Sequence, residues 1–184
     1  MANFSASADE VSRFLLNIFC GKASGFNVVH FNARSLSSSK VDYVRNVFVN
    51  SSIDIICVTE TWLHSDINNS SLNIDGYNLL RSDRNTGSRG GGVAIYYKKY
   101  LQVNVIKIFE SNQIESLSLS ISSRNNKVLL SCVYNPSRFF DLSPYFNALS
   151  NEVIKYDFVI CCGDFNVNLL SSEPATSSEF IATN

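Results

Sequence analysis

The segment FNVVHFNARSLSSSKVDYVRNVFVNSSIDIICVTETWL, residues 26–63, decides the fold. It opens with a short apolar run, 26–31, that stops at Asn32 and reads as a buried strand. Ser37, Ser38 and Ser39 then offer helix N-caps, and Val41, Val44, Val47 and Phe48 recur at the spacing that lines one side of a helix over 40–49. Residues 53–58 form a second β-branched run, wholly apolar after Asp54, as strands covered on both faces tend to be. Strand, helix and strand in this order predict an α/β protein.

Downstream the pattern changes. Residues 76–80, 93–99, 101–109, 114–121 and 127–134 are consecutive strand candidates. In 114–121, Leu117, Leu119 and Ile121 alternate with Ser116, Ser118 and Ser120, and Arg124, Asn125 and Asn126 supply a turn before the next strand. Strands joined by such short links pair antiparallel. A helix over 144–155 carries Pro144 at an early position, where a missing N–H is tolerated. The apolar run 158–162, predicted to be central in its sheet, ends at Gly163-Asp164-Phe165-Asn166. Upstream, Val11, Phe14, Leu15 and Ile18 predict a short helix within 9–19, and 21–25 read as a break. Residues 1–25 are therefore expected to be an N-terminal extension, and 26–184 a single α/β domain.

Composition bounds the function. With 184 residues, 45% of them hydrophobic and 17% charged, the chain is globular material and not a disordered tail. A net charge of −1 excludes the broad basic surface of tight nucleic-acid binders, though not a nuclease that grips DNA transiently. Charge is unevenly spread. Arg81, Arg84, Arg89, Lys98 and Lys99 cluster against the single acid Asp83, whereas Asp54, Glu60, Asp66 and Asp75 lie in a stretch without Lys or Arg. One part is suited to phosphate, the other to a cation. The cysteines Cys20, Cys57, Cys132, Cys161 and Cys162 are odd in number and form no CxxC, so they read as buried free thiols of a reducing compartment, not disulfides or a zinc set. No apolar run approaches the roughly 18 residues of a membrane span. The run 14–20 follows Asp9 and Glu10 instead of a basic segment, which argues against a signal peptide.

Four apolar strands end in residues that a core would reject: Asn32, Glu60, Tyr134 with Asn135, and Asp164 with Asn166. In layered α/β proteins, strand ends on one side of a sheet are where sites assemble. A carboxylate beside an amide suits a hard cation such as Mg²⁺, which takes oxygen ligands and keeps several waters. A tyrosine hydroxyl can donate to a phosphate oxygen. Each residue alone has a plainer reading as a turn former or cap. His30, inside its strand, reads as a satisfied core or edge residue, and His64 lies in a loop beside acids.

Taken in order, Asn32 in FNARSL, Glu60 in VTETWL, Tyr134 in VYNPS and GDFN at 163–166 resemble the signature blocks of the endonuclease/exonuclease/phosphatase superfamily. That superfamily includes pancreatic deoxyribonuclease, apurinic endonucleases, inositol polyphosphate 5-phosphatases and retrotransposon endonucleases. The segment LLRSDRNTGSRGGGVAIYYKK, 79–99, is similar to the corresponding block of LINE-type (non-LTR) elements. The resemblance covers roughly 26–170 and implies a deoxyribonuclease-like four-layer α/β sandwich with its site at the rim of two facing sheets. It implies that Glu60 binds a divalent ion, Mg²⁺ or Mn²⁺, with Asn32 nearby. It further implies that Tyr134 steadies the scissile phosphate, Asp164 positions or deprotonates the attacking water, and Asn166 hydrogen-bonds the phosphate. Arg81, Arg84 and Arg89 are candidate contacts to DNA.

The implied activity is nicking of target DNA in the nucleus, within a parent polyprotein that also carries a reverse transcriptase. The superfamily pattern continues beyond GDFN to an Asp that orients a catalytic His and to a Ser-Asp-His block, and residues 167–184 contain neither Asp nor His. The second sheet is therefore expected to be incomplete and this chain alone to be a poor enzyme. The rival readings are a catalytically silent remnant that binds DNA, protein or metal, and a phosphoesterase of small phosphorylated lipids or inositols.

Overall fold

Strand β2, Ile55–Thr59, is buried along its whole length, because each of its faces meets a different apolar layer. Alternate side chains serve the two layers: Ile55 and Cys57 belong to one core cluster and Ile56 and Val58 to another, the period-two geometry of a strand. The computed structural model describes residues 25–84, 90–122 and 126–167. The helix expected within 9–19, Cys20, Arg89, most of the turn at 124–126 and the whole segment 168–184 lie outside the described residues.

The first sheet has the order β1-β2-β4-β3, with β1 Val28–Asn32, β3 Tyr77–Ser82 and β4 Val93–Lys98. β1 and β2 are parallel, joined by helix α1, Ser38–Phe48, and β4 runs antiparallel to both β2 and β3. A 3₁₀ turn, Asn69–Leu72, precedes β3. The second sheet has four strands in the order β5-β6-β7-β8: Gln102–Ile106, Glu115–Ser122, Lys127–Tyr134 and Phe158–Asp164. The first three pair antiparallel, and helix α2, Ser143–Val153, returns the chain so that β8 lies parallel to β7.

Three cores separate four layers. Val41, Val44, Val47 and Phe48 of α1 cover Ile56, Val58, Ala94 and Tyr96 on the outer face of the first sheet. Between the sheets, Ile55, Cys57, Val93 and Ile95 face Leu119, Ile121, Leu130 and Cys132. Tyr145 and Leu149 of α2 cover Leu129 and Val133 on the far face of the second sheet. This is the four-layer α/β sandwich. Among the described residues no helix is long and apolar enough to cross a membrane.

The structure revises several local expectations. α1 starts at Ser38 with Ser37 as N-cap, but no side-chain capping bond forms, because Ser37 Oγ lies 3.3 Å from Ser39 Oγ. The serines of β6 do not face water. Ser118 and Ser120 are buried, and the Ser118 hydroxyl sits 2.7 Å from that of Ser131, which accepts a bond from Tyr145 Oη at 2.9 Å. α2 covers this polar face and the hydroxyls satisfy one another. The run 158–162 has the composition of a central strand but, with the second sheet expected to be incomplete, is expected to keep an open edge. Among the described residues β8 pairs only with β7, leaving Phe158 57% and Val159 40% exposed. Its apolar composition serves the two core clusters that it touches, through Ile160 and Cys162 on one face and Cys161 on the other.

Candidate active site

The ends of β1, β2, β7 and β8 open on the same rim. Asn32 closes β1 in register with Thr59, and Glu60 follows Thr59 directly. In the other sheet Tyr134 is the register partner of both Glu115 on β6 and Asp164 on β8. The sandwich brings the two rows together. Asn32 Nδ2 donates to Glu60 Oε1 at 2.8 Å and to Asp164 Oδ2 at 2.8 Å, so one amide group bridges carboxylates from the two sheets. Asn32 Oδ1 accepts from the Arg34 N–H at 3.0 Å, which fixes which end of the amide faces the acids.

Backbone strain aims these groups. Glu60 and Asn166 have φ of 52° and 50°, the left-handed region that side chains other than glycine seldom enter. Surrounding bonds hold the conformation: Ser35 N donates to Glu60 O at 2.8 Å, and Trp62 N donates to Gly91 O at 2.8 Å. Left-handed residues persist where neighbouring structure over-determines them, commonly at functional sites. Asn166 Nδ2 donates to Asn135 O at 2.7 Å, and Asn135 N donates to Asp164 O at 2.9 Å. The buried Asn135 therefore ties the GDFN turn to the end of β7. Gly163 is obligatory there, since a Cβ at that position would stand 1.9 Å from the Val133 carbonyl oxygen.

The electrostatics favour a cation. Among the described residues neither Glu60 nor Asp164 takes part in an ion pair. Tyr134 hydrogen-bonds Glu60, and its phenol is pushed up to about 12, first by burial and then by the Glu60 charge and that hydrogen bond. It therefore remains a neutral donor across the physiological range. Two convergent carboxylates with no matching cation are hard-oxygen donors that fit a divalent ion of the Mg²⁺ or Mn²⁺ type. Glu60 and Asp164 are the groups available to hold it, with the Asn32 N–H group fixing the two carboxylates relative to each other.

Of the residues predicted for this site, Asn32, Glu60, Tyr134 and Asp164 meet directly, and Asn166 sits one hydrogen bond away through Asn135. The basic segment is arranged differently from the expectation. Arg81 pairs with Asp83 at 3.2 Å and donates to the His64 carbonyl at 3.0 Å, with 12% of its side chain exposed. Arg84 pairs with Glu115, 17% of each side chain being exposed, and its guanidinium lies 5.8 Å from the centre of the Tyr134 ring. Neither offers a free guanidinium to DNA, because each charge is already matched by a carboxylate from the fold. His64 is exposed beside Asp66, and His30 Nε2 lies 3.2 Å from Thr59 Oγ1 rather than bonding any of the site groups.

One contributor escaped sequence reading. Glu115 holds Arg84 and accepts from the Gly92 N–H, locking the glycine loop of the first sheet onto the second. Gly91 makes that contact possible, since a Cβ there would meet the Arg84 guanidinium at 2.3 Å. A signal for Glu115 existed: it shares the core-facing parity of Leu117, Leu119 and Ile121, where a carboxylate requires a partner. Asn135, singled out in the sequence as a strand-end residue beside Tyr134, contributes through its backbone carbonyl, which carries Asn166.

A model of the Endonuclease/Exonuclease/phosphatase family matches residues 17–179. Among curated proteins, none matches the sequence. Solved structures do. The endonuclease domain of TRAS1, a telomere-specific non-LTR retrotransposon, is 15% identical with a TM-score of 0.55, over 78% of this chain and 60% of that one. The human Nocturnin catalytic domain is 15% identical with a TM-score of 0.55, over 78% of this chain and 64% of that one. TDP2 of D. rerio, solved with a single-strand DNA product, is 14% identical with a TM-score of 0.57, over 79% of this chain and 62% of that one. The likeness is one of fold, and the chain spans less than two thirds of the length of each.

Proposed function

Because the chain belongs to the endonuclease/exonuclease/phosphatase family, we propose that its rim site is the phosphodiester-hydrolysing centre of a DNA-nicking endonuclease of the retrotransposon type. The observation that carries this reading is the Asn32 amide bridging Glu60 and Asp164 across the two sheets. A divalent ion bound there, Mg²⁺ or Mn²⁺, would supply charge neutralisation to a phosphate. Asp164, at the mouth of β8, would accept a proton from water and orient it. Tyr134, kept protonated, donates to a phosphate oxygen. Asn166 uses one amide hydrogen on Asn135 and retains the other for the phosphate as negative charge grows. The LINE-like block at 79–99 supports DNA over small phosphorylated lipids or inositols as substrate, with a reverse transcriptase as partner and the nucleus as location.

One observation favours a second reading, a module that binds metal or DNA without cleaving. Among the described residues no histidine bonds the site, so no imidazole is placed to stabilise charge or protonate the leaving oxygen. The losses attached to one such preorganised donor are about 10²–10³ in rate. Conversion of supercoiled plasmid to open circles separates the readings, with Asp164→Ala as control. Mg²⁺-dependent nicking lost in that variant supports the endonuclease. Mg²⁺ and DNA binding without nicking supports the silent module, and phosphate release from inositol phosphates in place of nicking overturns both.

A further inference from the structure

Beneath the rim, the same strands bring together a second set of ligands of opposite chemical character. Cys57 of β2 in the first sheet meets Cys132 of β7 and Cys162 of β8 in the second, and the three sulfurs all lie within 4.8 Å of one another. Cys132 and Cys162 are register partners on parallel strands. The three thiols hydrogen-bond among themselves. Cys57 and Cys132 are fully buried in the core between the sheets, whereas Cys162 is partly accessible. His30 on β1 is the register partner of Cys57, is also partly accessible, and feels the charge of Cys162. Cys161 is excluded, since it turns to the other face and lies 3.2 Å from Tyr145 Oη.

We propose that Cys57, Cys132 and Cys162, with His30 as fourth donor, form a tetrahedral site for a thiophilic divalent cation of the Zn²⁺ class that clips the two sheets together. Zn–S bonds of about 2.3 Å in a tetrahedron set sulfurs roughly 3.8 Å apart, so the observed cluster needs only a slight contraction. Three thiols and an imidazole select a soft or borderline ion, while the carboxylates above select a hard one, so the two sites do not compete for the same metal. Binding releases the remaining thiol protons to solvent, and the accessible side formed by Cys162 and His30 gives the ion an entry path. His30 must exchange its contact with Thr59 for the metal. The location gives the clip a purpose. Cys162 lies two residues before Asp164, Cys132 two before Tyr134, Cys57 three before Glu60 and His30 two before Asn32, so one ion beneath the rim would hold together the strands that carry the groups meeting at the hydrolytic site.

The test uses the full chain, reduced, with Cys20→Ser and Cys161→Ser so that only the three clustered cysteines remain. Co²⁺ should give thiolate-to-cobalt charge-transfer absorption saturating at one ion per chain, and Zn²⁺ should abolish it by displacement. His30→Ala should weaken binding, and Cys132→Ser should weaken it by at least about a hundredfold. Should Cys132→Ser fail to fold, alkylation of the unaltered chain reads the same site: Zn²⁺ should slow modification of Cys162 at least about tenfold. Absence of a charge-transfer band at saturating Co²⁺, or alkylation indifferent to Zn²⁺, overturns the proposal. None of these readouts depends on hydrolysis, so their failure is distinguishable from failure of the nuclease reading.

Discussion

Asn32 places one amide nitrogen between two carboxylates, and this single contact converts two like charges from different sheets into a usable pair. Glu60→Gln keeps the shape and removes a charge from the ion's shell. It is expected to weaken Mg²⁺ or Mn²⁺ binding by at least about tenfold, the scale at which even outer groups of metal sites act, and to abolish metal-dependent cleavage. Calorimetric titration of Mn²⁺ reads the first effect directly, and unchanged affinity removes Glu60 from the role. Arg84 presents the opposite case. With its charge matched by Glu115 and its side chain mostly buried, Arg84→Met strands a carboxylate and should cost about 2 kcal/mol in denaturant unfolding. A phosphate-contacting arginine would instead flatten the salt dependence of DNA affinity, and that slope should not change here.

At the scale of elements, the site depends on how β8 ends. Gly163 has a φ of 149° and runs against Val133 so closely that no side chain fits. Gly163→Ala must push β8 away from β7, moving Asp164 and breaking the bond from Asn135 N to its carbonyl. The expected loss is about 3 kcal/mol or more, measured by chemical denaturation. An unperturbed midpoint would show that the strand pair is looser than its register implies. GDFN is thus a packing motif as well as a chemical one: the glycine lets the strand approach, the aspartate faces the rim, and the asparagine returns to β7.

The whole molecule is held by apolar layers in which several tyrosines are sealed. Burial pushes Tyr96 up to about 12, and Tyr134 reaches a similar value through burial and Glu60, from an ordinary 10. Burial raises Tyr145 as well. A phenol with a raised folded pKa keeps its proton while the unfolded chain gives it up. Its contribution to stability is therefore complete below pH 10 and is lost as pH rises towards 12 and beyond. Alkaline titration followed by phenolate absorbance and circular dichroism should show cooperative unfolding inside that window. Ionisation of all tyrosines near pH 10 with the fold intact would contradict the burial described.

The β-α-β opening, the run of strands after it and the polar residues at their ends were legible in the sequence, because periodicity and turn chemistry are local properties of the chain. So was the grouping of Asn32, Glu60, Tyr134 and Asp164 as one candidate site, through a pattern of motifs in order, and the fold brings these four together. Which face meets which was not legible. Alternation marks a face as apolar or polar, but it does not say what will cover it, and the polar face of β6 is closed by α2 and Tyr145. Likewise the arginines of the glycine-rich block read as free cations until Asp83 and Glu115 were placed against them. Asn32 and Asp164 stand 132 residues apart, and the meeting of Cys57 with Cys132 and Cys162 joins strands of different sheets. Such contacts depend on the register and stacking of the two sheets, which the packing of the shared core decides only once the whole chain has folded.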